Sequence, residues 1–224
     1  RRHAPRLSYG DLLRVGPVED LLALLDDHAV SGELRLIEGH IDGRHLLIID
    51  SHAALLDQAE KGIAELAETL PGDAVYAIGA PVRFRGRLFN AAVVMQNGSI
   101  LGVVPKINLP NYREFYEKRY FSSGRGIEAE VFPFAGFDKV PFGGDLIFEV
   151  SPELRIGIEI CEDMWAVVPP SSRLALNGAT LILNLSASNE LVGKADYRRE
   201  LVRGQSARCV AAYAYVSAGV HEST

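Results

Sequence analysis

A cysteine ends an apolar run in Gly157-Ile158-Glu159-Ile160-Cys161-Glu162-Asp163-Met164-Trp165. The run from Leu154 to Ile160, with Arg155 and Glu159 inside it, predicts a strand that delivers one thiol to an acidic turn. A strand-to-turn junction is where an α/β enzyme places a nucleophile, exposed and held by a stiff scaffold. Packing is the alternative, because free cysteine is among the most buried residue types.

A thiol of ordinary pKa, about 8.5, needs a base or a positive neighbour to become a good nucleophile. Histidine is the usual partner. His3, His28, His40, His45 and His52 all fall in the N-terminal quarter, His221 falls at the other end, and none lies in a motif. Lysine and glutamate can do the same work. Lys106 ends a predicted strand and opens a loop dense in aromatic and charged residues, running through Tyr112-Arg113-Glu114-Phe115-Tyr116-Glu117-Lys118-Arg119-Tyr120-Phe121. Its ammonium can stabilise an oxyanion or a thiolate; a solvated surface lysine is the plain alternative.

The elements that must position these groups follow from periodicity. Val18, Leu21, Leu22, Leu25 and Ala29 share one helical face over 18–30, with Gly32 as a stop, and 34–37 reads as a short strand. Residues 51–69 predict a helix striped by Leu55, Leu56, Ala59, Ile63 and Leu66, broken by Pro71-Gly72-Asp73. Strands are expected at 75–80, 88–96 and 99–104, the last two joined by Asn97-Gly98, the strongest hairpin signal. Residues 146–150 and 154–160 predict a second hairpin across Ser151-Pro152-Glu153. Pro169-Pro170-Ser171 opens a short helix closed by Asn177-Gly178. A strand at 180–185, a helix at 194–211 and a strand at 212–218 complete the reading. Hairpins set between helix-strand units fit a doubly wound sheet poorly; they predict two mixed sheets with helices on the outer faces.

The 224 residues, 48% hydrophobic and 23% charged, describe a globular chain. A net charge of −6 gives no nucleic-acid surface. No apolar run approaches the ~20 residues that span a bilayer, and Arg1-Arg2-His3-Ala4-Pro5-Arg6 shows no signal peptide. Two cysteines make no disulfide framework, so a reducing, cytoplasmic setting is expected. Cys209, read as lying mid-helix, is assigned to packing. Both ends, Arg1 and His221-Glu222-Ser223-Thr224, are expected to be cuts in a longer protein.

Lys106 with its loop, and Glu159 to Trp165, resemble the nitrilase or carbon-nitrogen hydrolase superfamily, and within it the glutaminase domains of glutamine-dependent NAD synthetases. Asn184-Leu185-Ser186-Ala187-Ser188, Gly193-Lys194, the run from Arg198-Arg199 to Gln205-Ser206-Ala207-Arg208, and the C-terminal His221-Glu222-Ser223-Thr224 match the same subfamily. The match runs from about Ser51 to Thr224, and the motifs together are highly specific. The resemblance implies an αββα sandwich with a Glu-Lys-Cys triad over residues 1–224. Cys161 matches the nucleophile and Lys106 the lysine. The family's Phe-Pro-Glu-Leu-x-Leu-x-Gly-Tyr string around the glutamate is absent. Counting back without gaps from Ala54-Leu55-Leu56-Asp57 places Glu38 on the family glutamate and Gly43 on its glycine; Ile37 replaces the proline and Arg44 the tyrosine. Glu33 is the rival candidate.

The resemblance further implies amide hydrolysis on L-glutamine, with Glu38 taking the thiol proton and Lys106 and the backbone N–H after Cys161 holding the oxyanion. Glu117 matches a second family glutamate that orients the lysine, although a surface pairing with Lys118 or Arg113 is nearly as good a reading. Tyr112 and Ser188 match glutamine-contacting positions, Glu162 is a candidate for the α-ammonium, and Trp165 walls the pocket or is a core aromatic. No metal site is expected. ATP and magnesium would belong to a synthetase domain that receives the ammonia and activates deamido-NAD; its Ser-Gly-Gly-x-Asp-Ser loop does not occur here, so no cofactor is expected in this chain. A homo-oligomer is expected. A free-standing amidase and a non-catalytic assembly domain remain the alternatives.

Overall fold

A computed structural model of the chain describes residues 40–41, 44–45, 53–189 and 191–217. The helix expected over 18–30, the strand over 34–37, and both glutamate candidates, Glu33 and Glu38, lie outside the described residues. A two-residue antiparallel pair, β1 (His40–Ile41) with β2 (Arg44–His45), precedes the first described helix, α1 (Ala53–Thr69). No helix among the described residues is long and apolar enough to cross a membrane.

Two mixed sheets follow. The first is built from β3 (Tyr76–Phe84), β4 (Arg87–Gln96), β5 (Ser99–Pro105), β6 (Glu130–Phe134) and β7 (Phe137–Phe142) in the order β3-β4-β5-β7-β6. Only the β5–β7 pairing in it is parallel. The second is built from β8 (Ile147–Glu149), β9 (Arg155–Ile160), β10 (Leu181–Leu185) and β11 (Ala212–Val216) in the order β11-β10-β9-β8. Here β9, β10 and β11 are parallel, and β8 returns antiparallel on β9. Parallel neighbours need crossovers, supplied by α2 (Pro170–Leu176) and α3 (Lys194–Cys209).

Strand alternation sorts the side chains into three apolar layers. Along β4, Phe89, Ala91, Val93 and Met95 pack with Ile63 and Leu66 of α1. The intervening Ala92 and Val94 pack with Ile156, Ile158 and Ile160 of β9 and Leu183 of β10, between the sheets. Outside the second sheet, Ile182 packs with Leu174 of α2, Ala179 and Ala211. The order is therefore helix, sheet, sheet, helices: the αββα sandwich. Gly157 lets α2 lie close on β9, since a Cβ there would stand 3.1 Å from Leu174 Cβ and 3.2 Å from Ala179 Cβ.

The Asn97-Gly98 turn forms as expected, with positive φ at both positions (50° and 73°). Two further hairpins turn the same way at Arg85-Gly86 (48° and 70°) and Ala135-Gly136 (50° and 82°). The first carries β3 past its expected end at residue 80. The second creates the β6–β7 pair, where sequence reading placed no strands. α3 ends at Cys209 rather than at residue 211, so that cysteine is the last residue of the helix, with Val210 as its C-cap, instead of lying mid-helix.

Candidate active site

Lys106 follows β5 directly, and its backbone is pinned on both sides. Its N–H donates to the Asn90 carbonyl at 2.8 Å, and its own carbonyl accepts the Gly124 N–H at 2.9 Å. The side chain is 1% exposed, so the surface reading of this lysine is discarded. Its Nζ donates to Glu117 Oε1 at 2.6 Å. Glu117 lies in a 3-10 turn, Glu117–Arg119, and its carboxylate engages Lys106 rather than a surface cation. Pairing of this kind is what lets an ammonium stay buried.

Cys161 begins the 3-10 turn Cys161–Trp165 at the end of β9. Its φ of 46° lies in the left-handed region, which costs a non-glycine residue about 1 kcal/mol. Such strain, at a strand-to-turn junction, turns the half-buried thiol out of the strand's alternation. The Cys161 N–H donates to Asn184 Oδ1 at 3.1 Å.

Asp163 ties the two segments together. Its carboxylate is buried and accepts four N–H groups: Ile107 N at 3.4 Å, Asn108 N at 2.6 Å, Asn108 Nδ2 at 2.9 Å and Ile160 N at 3.0 Å. It thus bonds the residue after Lys106 and the residue before Cys161. Burial pushes Asp163 up to about 6, although the N–H bonds to Ile160 and Asn108 pull the other way.

Tyr112, half exposed, donates its hydroxyl to the Glu162 carboxylate, 2.9 and 3.0 Å from its two oxygens. Burial first, then the Glu162 bond and charge, then a thiolate at Cys161, push the Tyr112 phenol up to about 12. Burial raises Glu162 as well, against the Tyr112 bond and the Lys106 charge. Ser188 is buried and bonded to Tyr215, whose phenol is raised by burial and further by a Cys161 thiolate. Trp165 is half-buried, with Lys194 Nζ 5.3 Å from its ring centre and Tyr197 5.7 Å away; it stands against α3 and not in the core. Cys209 is also half-buried, its thiol 3.7 Å from the Ser171 carbonyl and raised by burial.

The thiol and the ammonium, both polar groups of the expected triad that lie among the described residues, are thus carried by one hydrogen-bonded unit. A cavity of about 570 Å³ is lined by Ile107, Asn108, Lys118, Phe121, Arg125 and Glu162 among others, so that chain neighbours of Lys106 and Cys161 line it rather than those two residues themselves. Asp163, Asn184 and Glu159 were not singled out for any role from the sequence. Their signal was available: each is a polar side chain within or directly after an apolar strand, where burial demands a partner.

A carbon-nitrogen hydrolase family model matches residues 47–222. A glutamine-dependent NAD(+) synthetase of Mycobacterium tuberculosis is 48% identical over 177 residues, 76% of this chain and 25% of the relative. This chain therefore spans about a quarter of the length of such relatives. The crystal structure of a glutamine-dependent NAD(+) synthetase from Cytophaga hutchinsonii superposes with a TM-score of 0.64 at 31% identity, covering 74% of this chain and 26% of that one. A carbon-nitrogen hydrolase from Helicobacter pylori shares the fold, with a TM-score of 0.53 at 20% identity over 74% of this chain and 53% of its own.

Proposed function

This chain belongs to the carbon-nitrogen hydrolase family, and on that premise we propose that it is a glutaminase that releases ammonia from L-glutamine through a cysteine thioester. The observation that carries the reading is the Asp163 bridge, which joins the segments bearing Lys106 and Cys161. The Tyr112–Glu162 pair stands beside it, with a carboxylate available to an α-ammonium.

Cys161 sulfur attacks the side-chain carbonyl carbon, forming a C–S bond and placing negative charge on the carbonyl oxygen. Lys106 Nζ, held by Glu117, and the Glu162 N–H are the donors for that oxyanion. Removing one donor of this kind typically costs ~10²–10³ in rate. The C–N bond then breaks and ammonia leaves with the proton first taken from the thiol. Water adds to the thioester, the C–S bond breaks, and glutamate and the thiol are released. Glu38 is our candidate for the group that takes and returns the proton. Glu162 receives the substrate α-ammonium, with Tyr112 and Ser188 as further contacts and Trp165 as a wall toward α3.

We further propose that the ammonia feeds NAD formation from deamido-NAD in a synthetase domain using ATP and magnesium, because the relatives are named glutamine-dependent NAD(+) synthetases. A cytoplasmic homo-oligomer is part of the same reading. The test is ammonia release from a panel of ω-amides by the purified protein. Turnover of glutamine well above the others, lost in Cys161→Ala, is expected. Preference for another small amide overturns the substrate assignment.

A further inference from the structure

On the face of the second sheet turned toward α2 and α3, hydrogen bonds run across three strands to the cysteine backbone. Glu159, two residues before Cys161 on β9, is 2% exposed. Its Oε2 accepts the Ser171 N–H at 2.8 Å, in the first turn of α2, and its Oε1 accepts the Tyr213 hydroxyl of β11. Asn184 sits opposite Glu159 in the parallel register of β9 and β10 and is fully buried. Its Nδ2 donates to the Tyr213 oxygen at 3.1 Å and lies 3.5 Å from the Cys161 carbonyl oxygen. Its Oδ1 accepts the Cys161 N–H at 3.1 Å.

Each link has one direction. A carboxylate has no proton to give, so Ser171 and Tyr213 must donate to it. With its proton turned to Glu159, the Tyr213 oxygen can only accept from Asn184. That places Nδ2 toward Tyr213 and leaves Oδ1 for the Cys161 N–H. A reversed amide would face Cys161 donor to donor and leave a buried N–H unpaired, at a cost of about 1–3 kcal/mol. The backbone so held is the left-handed one that presents the thiol.

We propose that Glu159 is a positioning residue for Cys161. Its acceptor-only carboxylate, acting through Tyr213, fixes the orientation of the Asn184 amide, and that amide holds the strained cysteine backbone in its attacking geometry. For turnover the proposal rests on the glutaminase reading; for the reactivity of the thiol it does not.

Glu159→Gln keeps the volume and an acceptor for Ser171 but offers Tyr213 a group that can donate, so the direction of the relay is no longer imposed. We expect kcat for glutamine to fall about 10-fold, with KM unchanged, and alkylation of Cys161 by iodoacetamide, followed by peptide mass, to slow by a similar factor. Adding Asn184→Asp restores an acceptor-only group that takes both the Tyr213 hydroxyl and the Cys161 N–H. The double variant should recover most of both losses. Wild-type behaviour of Glu159→Gln, or a folded double variant no better than it, overturns the proposal. If the double variant does not fold, Tyr213→Phe decides. It should show the same loss as Glu159→Gln, with no further loss when the two are combined; additive losses overturn the proposal. Should the wild-type protein leave glutamine untouched, the glutaminase reading fails, while the alkylation rates still decide the relay.

Discussion

Asp163 has two consequences that pull in opposite directions with pH. Burial lifts its carboxyl from an ordinary 3.8 to about 6. The folded protein therefore binds this proton more tightly than the unfolded chain does. Stability contributed here falls as pH rises from about 4 to about 6 and stays at the lower level above that, a loss of roughly 3 kcal/mol. Asp163→Asn removes the linkage. Urea unfolding at about pH 4.5 and about pH 6.5 should show wild type losing stability relative to Asp163→Asn across that window; a flat difference would contradict the burial. Activity should run the other way. Protonation takes away one acceptor from the Ile107, Asn108 and Ile160 N–H groups, so kcat should drop as pH falls through about 6, and Asp163→Asn should be slow at every pH. Tyr112→Phe should raise KM several-fold with kcat little changed, because its hydroxyl sets the Glu162 carboxylate rather than the reacting atoms. At this scale the placement of Cys161 and Lys106 was legible, since each stands directly after a strand and next to a polar loop. Asp163, Glu159 and Asn184 were not assigned roles, because a single polar residue does not name its partner. Asn108, Tyr213 and Cys161, to which they respectively bond, lie 55, 54 and 23 positions away.

Elements fix the site through the layer between the sheets. Ile158 is 1% exposed and packs there two residues before the segment's last isoleucine. Ile158→Ala should destabilise the protein by about 2–5 kcal/mol, as buried large-to-small changes do. It should also slow turnover, because β9 carries Cys161. Thermal unfolding alongside the glutaminase assay would show both effects, and an unchanged melting temperature would contradict the packing. The helices and strands nearest Cys161 were legible because period and punctuation agreed: Pro169-Pro170 opened α2, Asn177-Gly178 closed it, and Asn97-Gly98 turned β4 into β5. β6, β7 and the far half of β3 were missed for a physical reason. Their turns use Arg85-Gly86 and Ala135-Gly136, in which only the second residue favours positive φ. Pro81, Pro133 and Pro141 also spoil the strand signal.

For the whole molecule, the four-layer order explains why Lys106 and Cys161, the proposed catalytic pair, can be separated by 55 positions and still share one unit. β5 lies in one sheet and β9 in the other, and their ends, Pro105 and Ile160, lead into the two segments that Asp163 joins. The mixed two-sheet architecture was readable from hairpins interleaved with helix-strand units. So was the placing of the helices on the outer faces; the strand order and the face each strand turns to its neighbour were not, because pairing and register decide them. Cys161 is proposed as the nucleophile of a site built for the glutamine carboxamide. A diazo-ketone analogue of glutamine measures this directly. A single adduct, mapped to Cys161 by peptide mass, formed quickly and blocked by excess glutamine, is expected. Labelling at Cys209 instead, or no adduct on the folded protein, would contradict it.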